Sequence, residues 1–384
     1  MMLCQAVDDA RSRWSDIELA MPFLNVRPAF FEHPGEPFRY LTTQASPAFK
    51  HLWATGTVNV LASKFSDLAR LFLPDGPLPC DVALVMVSPP GPEGKVSLGV
   101  SVGATLNPVR ACSLVIAQVN KNVPYTMGAG EIPVEEFDFL VEADEPIRMA
   151  RDHEGGPDAI ARRIAELAAE VVPDGATLQF GIGALPDTVL ANLGNRKGLK
   201  VHSGLLTDAS VGLFEAGVIE GPMIVGQISS TARLLKFVHR NPNVLMAPAA
   251  FTHGCGVLGS LKGFVAINST LEVALDGSCN SEMANGQIVS GPGGAPDFAF
   301  GAGLASGGRA IMALRSATAG GLSRIVGRIE PPNPVTLPSY LADVVVTEYG
   351  RAEVRGLAVG ARAEALVALA HPDHRAALAA GAPR

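Results

Sequence analysis

Charge is scarce in this chain: Asp, Glu, Lys and Arg together make up only 17% of its 384 residues, with a net charge of −7. Without a basic stripe, nucleic acid is excluded as a main partner, although a local basic patch for an acidic ligand remains compatible with an acidic protein. Long hydrophobic runs are missing too. The longest, such as DVALVMV at 81–87, fall well short of the ~20 apolar residues a spanning helix needs. Runs of that length suit strands buried on both faces of a parallel sheet. Paired cysteines are absent: the five stand at 4, 80, 112, 255 and 279, an odd number with no CxxC spacing. That excludes a disulfide framework and points to reduced thiols in a cytoplasmic protein. The N-terminus, MMLCQAVDDARSRW, lacks the apolar core and small-residue cleavage site of a signal peptide.

What the chain does have is apolar material and punctuation. Hydrophobic residues make up 48%, and 41 glycines and 29 prolines are spread among them. Mean hydropathy is +0.26. High apolar content throughout argues for many tight strand–helix turns rather than disorder. The length suggests two domains of roughly 100–200 residues each.

Residues 3–14 read as a short helix. The runs TVNVLAS (57–63), DVALVMVS (81–88), SLVIAQV (113–119) and FDFLVEA (137–143) then read as strands, and SDLARLF (66–72) as helix. Alternation of this kind predicts an α/β domain with a largely parallel sheet. The shift to charge and turn residues in EADEPIRMARDHEGGP (142–157) marks a boundary, so the expected domains are 1–150 and 157–384. The second opens on an amphipathic helix at 158–172 and continues through ATLQF, KVHS, PMIVGQ, VAINS, AIMALRS and DVVVTEY.

Two glycine turns could carry chemistry. In ATLQFGIGALPDTVLANL (176–193) a strand meets Gly181, Ile182 and Gly183 before a helix. Free N–H groups at such a helix start favour anions and oxyanions. A dinucleotide fingerprint would need a third glycine where Pro186 stands and an acid near Lys200-Val201-His202, so no nicotinamide is expected. An ordinary βα turn remains equally compatible with GIG alone. In GQIVSGPGGAPDFAFGA (286–302), Gly291, Gly293 and Gly294 could present N–H groups, or form a plain surface loop. GVSVG (99–103) matches the serine-hydrolase elbow by letter, but without a buried strand straight before Ser101 it reads as chance. HPDH (371–374) and HGCG (253–256) lack further ligands at metal spacing, and Pro372 reads as a helix start, so no metal is expected.

Taken in order, VALVMVSPPGPEGKVSLGVSV, AQVNKNVPYTMG, QFGIGALPDTVL, VHSGLLTDASVGLFEAGVI, VAINSTLEVALDGSCNSE, SGPGGAPDF, SATAGGLSRIV and VVTEYGRAEVRG resemble the acetyl-CoA hydrolase/CoA-transferase family, which includes 4-hydroxybutyrate, butyryl and succinyl CoA-transferases. The resemblance spans nearly the whole chain from about residue 20. It implies an α/β fold of two CoA-transferase-like domains, each a largely parallel sheet flanked by helices. The implied activity is acyl-CoA chemistry: CoA transfer between short-chain carboxylic acids, of the acetate CoA-transferase type, or thioester hydrolysis. An acyl-CoA and a small carboxylic acid are the implied ligands, with no cofactor beyond the CoA substrate, no membrane and a homo-oligomeric assembly. In such enzymes a glutamate carboxylate attacks the acyl-CoA carbonyl and an enzyme–CoA thioester follows. The backbone of Ile182 and of Gly293 or Gly294 would hold the oxyanion. Gly181, Gly183, Ser203, Gly204, Gly291 and Arg324 would line the substrate.

The chain departs from that pattern twice. In the transferases the segment seen here as HSGLLTD (202–208) carries the nucleophilic glutamate at its third position, where this chain has Gly204. Glycine can form neither anhydride nor thioester. Glu282 in NSE or Glu215 on the following helix could substitute, though each reads more readily as structural. His202 or Asp208 could instead activate a water; equally, Asp208 could cap the next helix and His202 pack in the turn. A non-catalytic acyl-CoA-binding or partner subunit is the reading from a different class. Arg351 and Arg355 could meet CoA phosphates, or pair internally with Glu348 or Glu353. The second departure is at the front. The family opens with a strand, a glycine turn and a helix, whereas this chain begins inside what resembles that helix, so its first domain is expected to lack a strand.

Overall fold

The computed structural model describes residues 2–21, 27–44, 56–149 and 156–382, together with positions 49 and 52. The chain forms two compact units. The first comprises Met1–Ala150, Pro222–Thr252 and Val289–Gly293; the second comprises Arg151–Gly221, His253–Ile288 and Gly294–Arg384. The division therefore departs from the two continuous stretches expected from the sequence: two later segments belong to the first unit. Residues 150–155 of the expected boundary stretch lie outside the described residues.

In the first unit, the strands Ile17–Ala20, Phe38–Thr42 and Val58–Val60 form a parallel sheet in that order. Phe30, Phe31, Phe38 and Tyr40 pack with Phe49, Leu52 and Val58 into one cluster, where the Tyr40 hydroxyl donates to the Phe30 carbonyl at 2.7 Å. Satisfying that hydroxyl inside the cluster removes the cost of burying it. A second parallel sheet has Leu114–Asn120 between Val82–Val87 and Phe139–Ala143. A third group, Met223–Ile228, Val244–Met246 and Met127–Gly128, is parallel as well. The first helix is shorter than expected: Met2–Asp9 is α-helical and Arg11–Arg13 a single tight turn. The run at 57–63 yields a strand only over Val58–Val60, and Asp67 Oδ2, accepting from Lys64 N–H at 3.1 Å, starts the next turn.

In the second unit the strand order is Gly350–Glu353, Val344–Thr347, Arg309–Ala313, Phe264–Ser269, Thr177–Phe180 and Lys200–Leu206. All neighbours are parallel except the edge hairpin formed by Val344–Thr347 and Gly350–Glu353. Thr177–Phe180 and Val344–Thr347 are buried at every position, as double coverage by helices requires. The chain runs from Thr177–Phe180 to one neighbour, Lys200–Leu206, and later returns to the other, Phe264–Ser269. This reversal of strand order is a topological switch point, and ligands of open α/β sheets bind beyond the carboxyl ends of the strands there. The residues just past or at those ends are Gly181-Ile182-Gly183 and the His202–Leu206 stretch.

The opening helix of this unit, Ala159–Ala169, starts where Asp158 accepts from Ala161 N–H at 2.9 Å. It is shorter than the 158–172 expected, because the chain turns at 170–172.

Candidate functional site

The GIG turn leaves the carboxyl end of Thr177–Phe180 and opens the helix Ala184–Ala191. Gly183 caps that helix at φ +123°, a conformation L side chains rarely adopt. Gly181 is bare for a different reason. A Cβ there would lie 2.9 Å from Asn268 Oδ1, and Asn268 is locked by a reciprocal amide pair with Gln179 (3.2 and 3.0 Å). Ile182 is 64% exposed, so the turn carries its apolar side chain outward.

Strand alternation puts His202 and Gly204 on one face of Lys200–Leu206 and Ser203 on the other. Ser203 is fully buried and its Oγ donates to the Phe180 carbonyl at 3.3 Å, tying the two strand ends together. His202 is buried as well. The helix Asp208–Glu215 follows, with Thr207 as its N-cap and Ser210 Oγ accepting from Thr207 N–H at 3.2 Å. Asp208 is therefore the first helical residue and not the cap.

The space over Gly204 is where the site departs most from sequence expectation. A Cβ on residue 204 would stand 3.0 Å from His253 Nε2, 3.1 Å from its Cε1 and 3.5 Å from Phe298 Cζ. A Cβ on Gly294 would stand 2.6 Å from the same Nε2 and 2.7 Å from Phe298 Cε2. One buried imidazole thus lies edge-on over the bare backbone of two glycines. Its ring is held against Phe298 at 4.4 Å between centroids, with a 41° tilt. His253 and Phe298 are 2% and 3% exposed, so both rings lie inside the second unit. Gly294 caps the helix Ala295–Leu304, and Phe298 N–H donates to the Gly294 carbonyl at 3.0 Å.

Of the residues singled out in the sequence, this arrangement brings together Gly204 and Gly294, with Ser203 linked to the end of the strand that Gly181 follows. Gly291 and Gly293 belong to the first unit and are fixed there. A Cβ on Gly291 would fall 2.0 Å from the Thr43 carbonyl, and the Gly293 carbonyl accepts from Phe65 N–H at 2.8 Å. Glu282 is held in its own loop: Oε1 accepts from the Thr336 hydroxyl at 2.8 Å and its N–H donates to Asn280 Oδ1 at 3.0 Å. Arg324 lies beside Arg315 and Glu272, and burial, more than the neighbouring Arg315, pulls its guanidinium below the usual value. Arg351 pairs with Glu170 at 2.9 Å and Arg355 with Asp343. These are not the internal partners expected, since Glu353 pairs with Arg309 and Glu348 accepts from Ser316.

Away from this arrangement, the Ser101 hydroxyl accepts from Thr105 at 3.4 Å. His371 caps the helix Pro372–Ala380, and His374 Nε2 meets the Gly321 carbonyl at 2.8 Å. Among the described residues no group of three or more His, Cys, Asp or Glu could hold a metal, and no helix is long and apolar enough to cross a membrane. His253, weighed in the sequence only as part of the ligand-poor string HGCG, is the residue whose role sequence reasoning missed. It stands in THGCG, and nothing in that string reports its contact with a glycine far upstream.

Residues 38–149 match the acetyl-CoA hydrolase/transferase N-terminal domain, and residues 230–382 the acetyl-CoA hydrolase/transferase C-terminal domain. Over 310 residues the chain is 39% identical to the 4-hydroxybutyrate coenzyme A transferase of Clostridium kluyveri, covering 78% of this chain and 72% of that protein. Among solved structures it resembles RipA from Yersinia pestis (TM-score 0.92, 28% identity, 99% of this chain and 90% of that one). It also resembles the 4-hydroxybutyrate CoA-transferase from Porphyromonas gingivalis (TM-score 0.80, 31% identity, 98% and 95%). The mixed α/β fold with parallel sheets is shared over nearly the whole chain.

Proposed function

Because the chain belongs to the acetyl-CoA hydrolase/transferase family, we propose that it hydrolyses the thioester of a short-chain acyl-CoA with water as the nucleophile. The observation that carries this reading is the imidazole edge of His253 against Gly204, where the family resemblance puts a glutamate. The site offers a base in place of a carboxylate nucleophile. Nε2 of His253 accepts a proton as the water oxygen bonds to the thioester carbonyl carbon. Backbone N–H groups of Ile182 and Gly294 hold the resulting oxyanion. Collapse breaks the C–S bond, and the imidazolium returns its proton to the departing thiolate. The products are the free acid and CoA. His202 and Ser203 position the strand, and Asp208 begins the helix behind it.

A second reading, CoA transfer between carboxylic acids, draws support from the likeness to the 4-hydroxybutyrate coenzyme A transferase of Clostridium kluyveri. It requires a carboxylate that reaches the carbonyl, and Glu282 would have to leave its bond from Thr336 to supply it. Measuring free thiol release from a panel of acyl-CoAs, with and without acetate as acceptor, tests the choice. Saturable release that acetate leaves unchanged supports hydrolysis. Acetyl-CoA formed from acetate in place of free thiol contradicts it, as does binding of acyl-CoA without any turnover.

A further inference from the structure

The first unit holds a cavity of about 500 Å³ whose charge is opposite to that of the whole chain. Lys121, Lys236, His239 and Arg240 line it, Pro89 and Pro90 give it an apolar wall, and no carboxylate is among its lining residues. Lys121 is paired with Asp144. Lys236 and Arg240 have no carboxylate partner among the described residues. Like charges gathered in a concavity repel one another and raise the local concentration of anions.

The cavity is built rather than incidental, and Tyr125 is its organiser. The Arg240 guanidinium lies over the Tyr125 ring, 4.6 Å from its centroid. Arg240 is held at φ +51°, a conformation unfavourable for a non-glycine residue, by its N–H donating to the Tyr125 carbonyl at 2.8 Å. The Tyr125 N–H in turn donates to His239 Nδ1 at 3.2 Å. Gly91 makes room: a Cβ there would lie 3.1 Å from the Tyr125 ring and 3.4 Å from the Arg240 guanidinium. The Tyr125 hydroxyl donates to Glu131 at 3.0 Å, and burial together with that bond pushes the phenol up to about 12, so it stays neutral.

We propose that this cavity binds a phosphate ester, with Arg240 and Lys236 on the phosphate oxygens and the proline wall against the organic part. Arg240 supplies a planar fork for bidentate contact and Lys236 a mobile point charge. The volume falls within the range of small-molecule sites. Two sources carry this chemistry: the phosphate-bearing end of a coenzyme A thioester, and a free nucleotide or phosphate.

Titration calorimetry of the whole protein with ADP tests the site, with adenosine as the phosphate-free control. Wild type binds ADP, salt weakens the binding, and adenosine binds far less. Lys236→Glu weakens ADP by at least about tenfold, and Lys236→Gln by less, while the unfolding temperature is unchanged. Equal ADP affinity in wild type and both variants overturns the proposal, as does no ADP binding by wild type at low salt. The gentler variant keeps the test decisive if charge reversal disturbs folding. Acetyl-CoA kinetics then separate the sources. A KM about tenfold higher at unchanged kcat in Lys236→Glu identifies the coenzyme's own phosphates. An unchanged KM with lost ADP binding identifies a separate ligand. The binding arm needs no turnover, so its failure is distinct from failure of the hydrolase reading.

Discussion

The His253 site and the basic cavity are made of opposite materials. The first is two bare glycines and a buried ring pressed against Phe298, with no charged side chain among the nearest atoms over Gly204. The second is a set of exposed cations organised by one tyrosine. A site of the first kind depends on side chains that are missing, so adding atoms harms it. A site of the second kind depends on charge, so removing or reversing charge harms it and added bulk matters less. The two therefore answer to different perturbations, and that difference can be tested.

The largest effect is expected at His253. His253→Asn removes the proposed base while keeping a polar group of similar reach, and thiol release should fall by roughly 10²–10⁴-fold with the fold intact. A loss of stability equal to the loss of activity would make His253 a packing residue. Next is Gly294→Val, whose Cβ would meet His253 and Phe298 at 2.6 and 2.7 Å. Overpacking of this kind costs about 1–3 kcal/mol, which chemical denaturation would register alongside lost turnover. Lys236→Gln should leave both stability and thiol release at saturating substrate untouched.

Gly204→Glu sharpens the comparison further. By sequence reasoning alone, restoring the family's glutamate should create CoA exchange. The ring over Gly204 alters that expectation, since the new Cβ starts 3.0 Å from His253 Nε2. The single variant should gain little, while Gly204→Glu combined with His253→Gly should gain exchange of roughly tenfold or more, because a carboxylate nucleophile then has room. Exchange appearing fully in the single variant would show that His253 yields easily. The smallest effect concerns thiols. Cys279 is fully buried and burial pushes its thiol up to about 12, whereas Cys255 is exposed. Native protein treated with a thiol reagent should label Cys255 early and Cys279 only on unfolding.

The fold was legible where periodicity and punctuation agree. ATLQF followed by glycines and an apolar helix read directly as strand, turn and helix, and the structure has Thr177–Phe180 and Ala184–Ala191 there. The run VVVT became a strand buried at every position, whereas VALVMV, expected to be buried on both faces, alternates, with Val82 and Leu84 turned to the exposed face. Boundaries were less legible, because side-chain bonds such as Lys64 N–H to Asp67 start elements without disturbing hydrophobicity. The return of 222–252 and 289–293 to the first unit could not be read, since nothing local marks which unit a strand joins. Gly204 was visible as an absence. His253 was not, because its role lies in a contact across the fold. The cavity was hidden for the same reason: Lys121 sits on a loop, Lys236 on a helix and Arg240 just beyond it, and only folding around Tyr125 gathers them.

The most direct test of the central claim follows labelled acetate and free thiol in one reaction of the wild-type protein with an acyl-CoA. Steady thiol release is expected while no label enters a CoA thioester. Labelled acetyl-CoA forming at a rate comparable to thiol release would contradict it, because that product requires an acid to take CoA from the enzyme and hence a nucleophile other than water.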